Sequence, residues 1–301
     1  MGSTDGRTIT DESIADAVAF AAASGTAQLV IVRSGDVLAD EVFEDRPVDV
    51  YAVQKGLVTV LVGIAEERGL LGLDDAVSDH LGPGWTHLPA HRESAVTIRA
   101  VLNMTTGLDD ELRPLGEVGV TWRYDNISYN YLKTLLEIVT GQTLADLSQS
   151  WLFGPLGMGS TQWVERAVFR PDGVAITGLE STARDLAGFG SMILAGGGGV
   201  APPDYVRSLG TPGSEANPAW GLCWWNNDQP HHRLPRRESE LQAGPVIPGA
   251  PADTIAARGA AENRLFVVPS LDLVVARTTV PVPGERPVPF DEPFWTRLLG
   301  G

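Results

Sequence analysis

Apolar and polar positions follow two different periods along the first 45 residues. In Asp11–Ala23 the apolar residues recur at helical spacing and Gly25 follows, which predicts an amphipathic helix. Residues 28–33 and 37–43 are rich in β-formers, and Ser34-Gly35-Asp36 lies between them. This pattern predicts a β-hairpin. The chain thus begins with a helix and two strands.

The next apolar run, residues 57–65, is almost uninterrupted and is followed by Gly69. It predicts a helix buried on most of its faces. Between about residues 70 and 200 strand signals become sparse, and helical ones dominate at residues 97–104, 127–139, 144–152 and 181–194. Strand signals return at residues 265–268 and 273–276, whose short connection predicts an antiparallel pair.

These elements predict an α+β chain whose sheet is split in sequence. We expect residues 1–70 and 200–301 to form a discontinuous α/β sheet domain, and residues 71–199 to form a mainly helical inserted domain. The chain shows no internal repeat and no low-complexity linker, so an insertion explains the pattern better than a tandem domain.

Composition limits the classes of partner. The chain has 301 residues and a net charge of −16, which disfavours nucleic acid and anionic membrane as partners. The single cysteine, Cys223, excludes an intrachain disulfide. Residues 1–11 carry no apolar signal core and no segment has the length of a membrane span. We therefore expect a cytoplasmic protein, although a removed leader would leave the same sequence.

Lysine occurs only twice, at Lys55 and Lys133, against twenty arginines. Lys55 lies at the start of the buried helix, where burial and the helix dipole both disfavour its ammonium form, so it could serve as a base. Ala52 is three residues earlier, on the same helical face. A serine there would complete a Ser-x-x-Lys motif. The alternative is a surface lysine at a helix start.

A second polar group precedes the helix predicted at residues 127–139. In an extended segment Tyr124 and Asn126 point the same way. A phenol beside an ammonium has its anion stabilised, so Tyr124 could shuttle protons, and Asn126 could bind the lysine. Alternatively, Asp125 or Asn126 is an ordinary helix N-cap and Tyr124 a core aromatic.

Five segments together resemble the serine β-lactamase-like hydrolases, the superfamily of class C β-lactamases, D-aminopeptidases and esterases. They occur in that superfamily's order and span roughly residues 10 to 280: Tyr51-Ala52-Val53-Gln54-Lys55-Gly56, residues 102–108, Tyr124-Asp125-Asn126 with Tyr131-Leu132, residues 181–186 and residues 267–270.

The resemblance implies an antiparallel sheet flanked by helices, a β-lactamase/transpeptidase-like fold, with the active site in the cleft beside an inserted helical domain. Position 52 matches the acylated serine, Lys55 its base, Tyr124 the second proton carrier and Asn126 its companion. The implied chemistry is acyl transfer from a small ester or amide through an acyl-enzyme, without metal or organic cofactor. Hydrolysis and transfer to another acceptor both remain open.

The third element of the resemblance, usually Lys-Thr-Gly or His-Thr-Gly, matches Ala257-Arg258-Gly259-Ala260. The resemblance places an oxyanion-binding N–H at Ala260, and Gly259 would allow close approach of substrate. Arg258 either binds a substrate carboxylate or is a charged strand-edge residue. The departure from lysine or histidine favours esterase, amidase or acyl transferase over β-lactamase. Trp225, with Trp224, either lines the cleft or packs in the core.

Replacing serine by alanine removes the attacking oxygen but keeps the backbone N–H of residue 52. The retained Lys55, Tyr124 and Asn126 favour a hydrolase inactivated by deliberate substitution over a natural pseudoenzyme that binds a ligand without turnover. No Gly-x-Ser-x-Gly nucleophile motif and no phosphate-binding loop is present. The histidines at 87, 91, 231 and 232 are expected at the surface, so no metal site is predicted. Substrate identity and oligomeric state leave no signal in the sequence.

Overall fold

The structure is a computed structural model that describes residues 9–300 of the chain. The expectation for the first residues therefore lies in part outside the described range. The helices are α1 (Asp11–Ala23), α2 (Gln54–Glu67), α3 (Val77–Leu81), α4 (Ala90–Glu93), α5 (Ile98–Leu102), α6 (Asn126–Thr140), α7 (Leu144–Ser148), α8 (Gly154–Leu156), α9 (Ala183–Leu194), α10 (Pro203–Ser208) and α11 (Asp291–Leu298). One π-helical turn, Gln149–Phe153, joins α7 to α8.

The strands lie in three parts of the described chain, residues 26–49, 162–181 and 220–279. They are β1 (Thr26–Arg33), β2 (Asp36–Val42), β3 (Val48–Asp49), β4 (Gln162–Phe169), β5 (Ala175–Ser181), β6 (Trp220–Gly221), β7 (Trp224–Asn226), β8 (His231–Leu234), β9 (Arg237–Ala243), β10 (Ile255–Arg258), β11 (Arg264–Val268) and β12 (Leu273–Thr279). Short 3-10 turns lie at Tyr51–Val53, Ala260–Glu262 and Pro269–Leu271.

Seven strands form one antiparallel sheet in the order β2-β1-β12-β11-β10-β7-β6. Strand β1, from the start of the chain, pairs with β12 from its end. The predicted α+β class and split antiparallel sheet are therefore confirmed. Every residue of β11 and β12 is buried, since helices cover the sheet.

The predicted β1–β2 hairpin is confirmed as well. Arg33 pairs with Asp36, which leaves a two-residue loop of Ser34 and Gly35. Both have positive φ, 51° and 84°, the geometry that joins two right-twisted strands most tightly.

Helix α2 is the buried centre of the fold. Each of its residues from Gln54 to Ala65 is buried, as the apolar run predicts. Gly56 lets the helix approach Trp224 and Ala257, because a Cβ atom there would lie 3.1 Å from both side chains. The start of α2 is thereby held against β7 and β10.

Strands β4 and β5 were not predicted from the sequence. They pair with each other, and β5 also pairs with β3 in a second, three-stranded sheet. Most of β4 is exposed or half-buried, so its apolar residues do not alternate as they do in a strand with one buried face.

Helix α9 lies within the residues predicted as the inserted domain, yet it packs against β1, β11 and β12 of the large sheet. Gly190 of α9 faces Val274 and Leu265, where any larger residue would collide. The division of the chain into two domains with a boundary at residue 199 stays a prediction.

The expected surface position of His232 is wrong. This side chain is buried, and its Nδ1 atom lies 3.0 Å from the Gly244 carbonyl oxygen, so it completes the contact between β8 and the residue after β9. Within residues 9–300, no helix is both long enough and apolar enough to cross a membrane.

Candidate active site

The segment that carries position 52 is a tight turn entering α2. Tyr51–Val53 forms a 3-10 turn, and Tyr51 adopts φ 51°, a left-handed conformation that a bulky residue rarely takes. The Tyr51 amide donates to Asp49 Oδ1 at 2.8 Å, which fixes this turn. Ala52 is half-buried, and its amide donates no hydrogen bond to any group of the described chain. The turn therefore presents a free N–H at residue 52.

Lys55 is buried between an amide and two aromatic rings. Its Nζ atom donates to Asn126 Oδ1 at 2.9 Å. The same atom lies 3.8 Å from the ring centroid of Tyr129 and 5.2 Å from that of Tyr124. The structure thus brings Lys55, Tyr124 and Asn126 together at one point, and the alternative of a surface lysine does not apply.

Burial lowers the pKa of Lys55 from its ordinary value of 10.5 to about 8. The positive charge of Arg166 acts in the same direction, whereas Asp125 and Cys223 oppose it. At pH 7 roughly a tenth of the amine is then unprotonated, far more than for an ordinary lysine. This is the property required of a general base.

The start of α6 explains why Asn126 is available to Lys55. Asp125 is the N-cap, and its Oδ1 accepts from the amides of Ile127 at 2.8 Å and Ser128 at 2.9 Å. Thr106 donates to the other carboxylate oxygen of Asp125 at 3.2 Å. Because Asp125 satisfies the helix end, the Asn126 side chain is free to accept from the lysine.

Tyr124 is half-buried beside a group of tryptophans. Its ring lies 5.5 Å from Trp220 and 6.5 Å from Trp122, and Trp225 is 4.8 Å from Trp220. Burial raises the pKa of Tyr124 well above its ordinary value. The phenol of Tyr124 is therefore protonated near neutral pH. Trp225 is fully packed within this aromatic group, and Trp224 is in the core beneath α2.

The end of β10 forms the other side of the site. Strand β7 pairs with β10 only at Ile255 and Ala256, so one edge of Arg258 has no strand partner. Gly259 follows, and a Cβ atom there would overlap the Val50 carbonyl oxygen and lie 3.3 Å from the Ala52 nitrogen. Ala260 is exposed. Gly259 therefore permits the close approach of β10 to position 52.

Arg258 is already engaged by the protein. Its Nη2 donates to Asp291 Oδ2 at 2.7 Å and its Nη1 to the Val246 carbonyl at 3.1 Å. Binding of a substrate carboxylate by both Nη groups would require these bonds to break.

Lys133, the second lysine, was not predicted to take part in this site. It is buried and donates to Gln54 Oε1 at 2.5 Å, Asn130 Oδ1 at 3.0 Å and the Thr177 carbonyl at 2.7 Å. Burial, and then the positive charge of Lys55, hold the pKa of Lys133 well below its ordinary value. Its sequence signal was its spacing from Asn126 on α6, because residues i and i+7 share one helix face.

Tyr129 was also missed, because a tyrosine on an apolar helix face reads as core. Its hydroxyl group is buried and has no hydrogen-bond partner among residues 9–300, while its ring contacts Lys55. In the same range no cluster of histidine, cysteine, aspartate or glutamate could hold a metal ion. The polar residues that meet here thus supply two amines, two phenols, an amide side chain and backbone N–H groups.

The Beta-lactamase family model matches residues 12–292. An uncharacterized protein of Alkalihalophilus pseudofirmus is 26% identical over 264 residues, which cover 78% of this chain and 74% of that protein.

Two solved structures illustrate the likeness in fold. The hydrolase EstCE1, described as having promiscuous acyltransferase activity, superposes with a TM-score of 0.72 at 17% identity, over 97% of this chain and 100% of its own. D-alanine carboxypeptidase AmpC of Burkholderia cenocepacia gives 0.69 at 19% identity, over 96% and 98% of the two chains. At these identities the similarity establishes a common fold.

Proposed function

The chain belongs to the Beta-lactamase family, and from that membership we propose that its cleft is an acyl-transfer site for a small ester or amide, in which Ala52 occupies the position of the nucleophilic serine. With serine at position 52, the protein would be a serine hydrolase or an acyl transferase. The chain with alanine at 52 retains the binding site and lacks the attacking oxygen.

One observation carries the proposal: Lys55, whose burial lowers its pKa to about 8, donates a 2.9 Å hydrogen bond to the exposed Asn126. Burying an amine lowers the stability of the fold, because burial penalises its charged form. Groups with such shifted pKa values are typical of functional sites. A base that can lose its proton near neutral pH fits a site that must deprotonate a hydroxyl group.

The chemistry of a serine at position 52 follows from the surrounding groups. Its hydroxyl would attack the substrate carbonyl while Lys55 accepts the hydroxyl proton. The amides of residues 52 and 260 would bind the oxyanion of the tetrahedral intermediate. Tyr124, whose phenol stays protonated, would donate to the leaving oxygen or nitrogen as the acyl-enzyme forms. The Lys55 ammonium would then pass the serine proton to the Tyr124 phenolate, which restores both groups. Water or another acceptor would attack the acyl-enzyme while Lys55 accepts its proton, and that proton would pass to the serine oxygen as the ester bond to residue 52 breaks.

The engaged Arg258 bears on the kind of substrate. With its Nη groups bound to Asp291 and Val246, it favours substrates that have no carboxylate at this position. The partly exposed ring of Tyr124, which packs on the buried Trp220, offers an apolar face to an acyl or leaving group. EstCE1, described as a hydrolase with acyltransferase activity, is a precedent within the fold for transfer to acceptors other than water.

The test is to restore the nucleophile. Ala52→Ser, its double variant with Lys55→Met, and the unchanged chain are exposed to activated esters, anilides, D-amino-acid amides and a β-lactam, and their intact masses are recorded. Loss of a catalytic serine costs on the order of a millionfold in turnover, so restoration is unmistakable. An acyl adduct on Ala52→Ser alone supports the proposal. The absence of any adduct on that variant, in spite of a correct fold, would refute it.

The presence of Ala52 itself favours a second candidate, a natural pseudoenzyme that binds a small ligand without turnover. Serine at position 52 in the protein from its natural source would support a deliberately inactivated hydrolase. Alanine at 52 in that source, together with ligand binding and no turnover by Ala52→Ser, would favour the pseudoenzyme.

A further inference from the structure

The loop between β10 and β11 is held in an unusual backbone conformation. Ala261 and Glu262 both have positive φ, 56° and 64°, although neither is glycine. Such conformations persist only where the surroundings impose them, and they concentrate at functional sites. The loop begins at Gly259, beside the Ala52 amide.

Every carbonyl of the loop is bound by a side chain. Those of Gly259 and Asn263 accept from Arg264 Nη1, each at 3.0 Å. The others accept in the following pairs: Ala260 from Asn263 Nδ2 at 2.8 Å, Ala261 from Thr279 Oγ1 at 2.6 Å, and Glu262 from Arg277 Nη1 at 2.8 Å. The four residues that donate these bonds are all buried. The loop carbonyls therefore face the protein interior.

The bond to Gly259 determines where the next amide points. A peptide unit is planar, and in its trans form the C=O and N–H point in opposite directions. Fixing the Gly259 carbonyl on Arg264 therefore aims the Ala260 N–H away from Arg264. That N–H donates to no group in residues 9–300, whereas the Gly259 amide is used by the Asn263 carbonyl at 2.9 Å.

Arg264 is itself fixed. Its Nε donates to Asp291 Oδ1 at 2.7 Å, and its Nη2 is paired with Glu262. Asp291, at the start of α11, also binds Arg258 at the other side of the loop. A positive guanidinium on the carbonyl oxygen also polarises the peptide, because linked hydrogen bonds strengthen one another.

We propose that Arg264 is a positioning residue: by binding the Gly259 carbonyl it aims the Ala260 N–H into the cleft beside the Ala52 amide, as a donor for the oxyanion of a tetrahedral intermediate. The proposal rests on the proposed acyl-transfer function for its catalytic meaning. The direction of the Ala260 amide can be tested without any turnover.

The first measurement uses the chain with alanine at 52. Gly-Ala occurs twice in the sequence, at Gly249-Ala250 and Gly259-Ala260, so labelling glycine with ¹³C at the carbonyl and alanine with ¹⁵N leaves two amide signals. Phenylphosphonate, a tetrahedral anion with an aromatic arm, is titrated in. The Ala260 signal is expected to shift and the Ala250 signal to stay. An Ala260 signal that does not respond would overturn the proposal.

The second measurement compares matched variants. Arg264→Met removes the bond to Gly259, Arg264→Lys keeps the charge with a simpler donor, and Arg277→Met removes an equally buried arginine that binds the Glu262 carbonyl instead. The Ala260 response to phenylphosphonate should be lost in Arg264→Met, partly kept in Arg264→Lys and kept in Arg277→Met. An equal response in the folded Arg264 and Arg277 variants would contradict a positioning role.

The kinetic measurement adds Ala52→Ser to each variant. Arg264→Met should lower kcat about tenfold or more with little change in KM, because one oxyanion donor is misdirected. It should also reduce the preference for an ester over its thionoester, since sulfur accepts hydrogen bonds poorly. If Ala52→Ser acylates nothing while Ala260 still responds, the acyl-transfer function fails and Arg264 positions an anion-binding amide only. If Ala52→Ser turns over substrate and the Arg264 variants have the same kcat, the positioning role is refuted and the acyl-transfer function stands.

Discussion

The two lysines of the chain, Lys55 and Lys133, contact one aromatic ring: their Nζ atoms lie 3.8 and 5.4 Å from the centroid of Tyr129. Both are buried, and the positive charge of Lys55 disfavours the charged form of Lys133 because like charges repel. A chain that uses arginine for its other twenty basic residues therefore has both of its amines in one pocket.

This pairing can be measured directly. A sample labelled with ¹³C at lysine Cε should give two side-chain signals, one titrating near pH 8 and the other also below the ordinary range of lysine. Lys55→Met shows which signal belongs to which lysine. The pKa of the remaining signal, from Lys133, should rise because the neighbouring positive charge of Lys55 has been removed. Two signals that titrate above pH 10 would contradict the buried pair.

The lowered pKa of Lys55 also predicts a pH dependence of stability. Below pH 8 both the folded and the unfolded chain carry the charged lysine, so the cost of burying it is fully present. Between about pH 8 and 10.5 the unfolded chain binds more protons, and stability rises with pH by roughly 3 kcal/mol at most. The free energy of unfolding is measured with denaturant for the chain and for Lys55→Met. The difference between the two proteins should become smaller as the pH rises through this window. A difference independent of pH would show that Lys55 titrates alike in both states.

Tyr124 and Lys55 should contribute differently to the rate of Ala52→Ser. Acylation should increase with pH around a midpoint near 8, as Lys55 loses its proton. Tyr124→Phe should lower kcat about a hundredfold without moving that midpoint, because the phenol acts as an acid whose pKa lies far higher. Tyr129→Phe provides the comparison. A shift of the midpoint in Tyr124→Phe would instead assign the rise to the phenol.

The bonds of Arg258 predict a substrate preference. Ala52→Ser should hydrolyse a neutral aryl ester at least as well, in kcat/KM, as the same ester bearing a carboxylate, because the arginine is already paired with Asp291. Asp291→Asn is the informative variant, since it removes the competing negative charge and should raise kcat/KM for the carboxylated ester relative to the neutral ester. Both values should fall, because Asp291 also fixes Arg264. A strong preference of Ala52→Ser itself for the carboxylated ester would show that substrate displaces Asp291.

Gly259 should not tolerate a side chain. In Gly259→Ala the new Cβ would overlap the Val50 carbonyl oxygen, so the end of β10 must move away from position 52. We expect a loss of about 1–3 kcal/mol in stability and a much larger proportional loss of acylation in the Ala52→Ser background. Gly188→Ala is the control: this helical position has only the Leu156 carbonyl within 4 Å, at 3.9 Å, and should gain stability. Equal behaviour of the two variants would contradict the close approach.

Sequence patterns predicted the elements that have one strong period. The apolar run of α2, the β1–β2 hairpin and the pairing of β11 with β12 all followed from local residues, and the structure confirms them. Strand β4 escaped prediction because most of its residues are exposed. Strand β3, which pairs with β5, is two residues long, too short to show any period.

The residues of the candidate site also differ in whether the sequence could predict them. Lys55, Tyr124 and Asn126 could be found because each belongs to a short motif with a chemical reading. Arg264 and Asp291 could not, since their roles depend on a carbonyl and two arginines that come together only through tertiary packing. Tyr129 was hidden for a different reason: its ring is core packing and its contact with Lys55 becomes visible only when α2 and α6 are in place.

The pairing of β1 with β12 sets the order in which this protein can become functional during its synthesis. Lys55 and Asn126 leave the ribosome early, but one edge of β1 has no partner until β12 is made. Arg258 and Arg264, on either side of the loop after β10, can bind Asp291 only once that residue has also been made. Helix α2 can be present from early on, yet ligand binding at the complete site should begin only after Asp291 has left the ribosome.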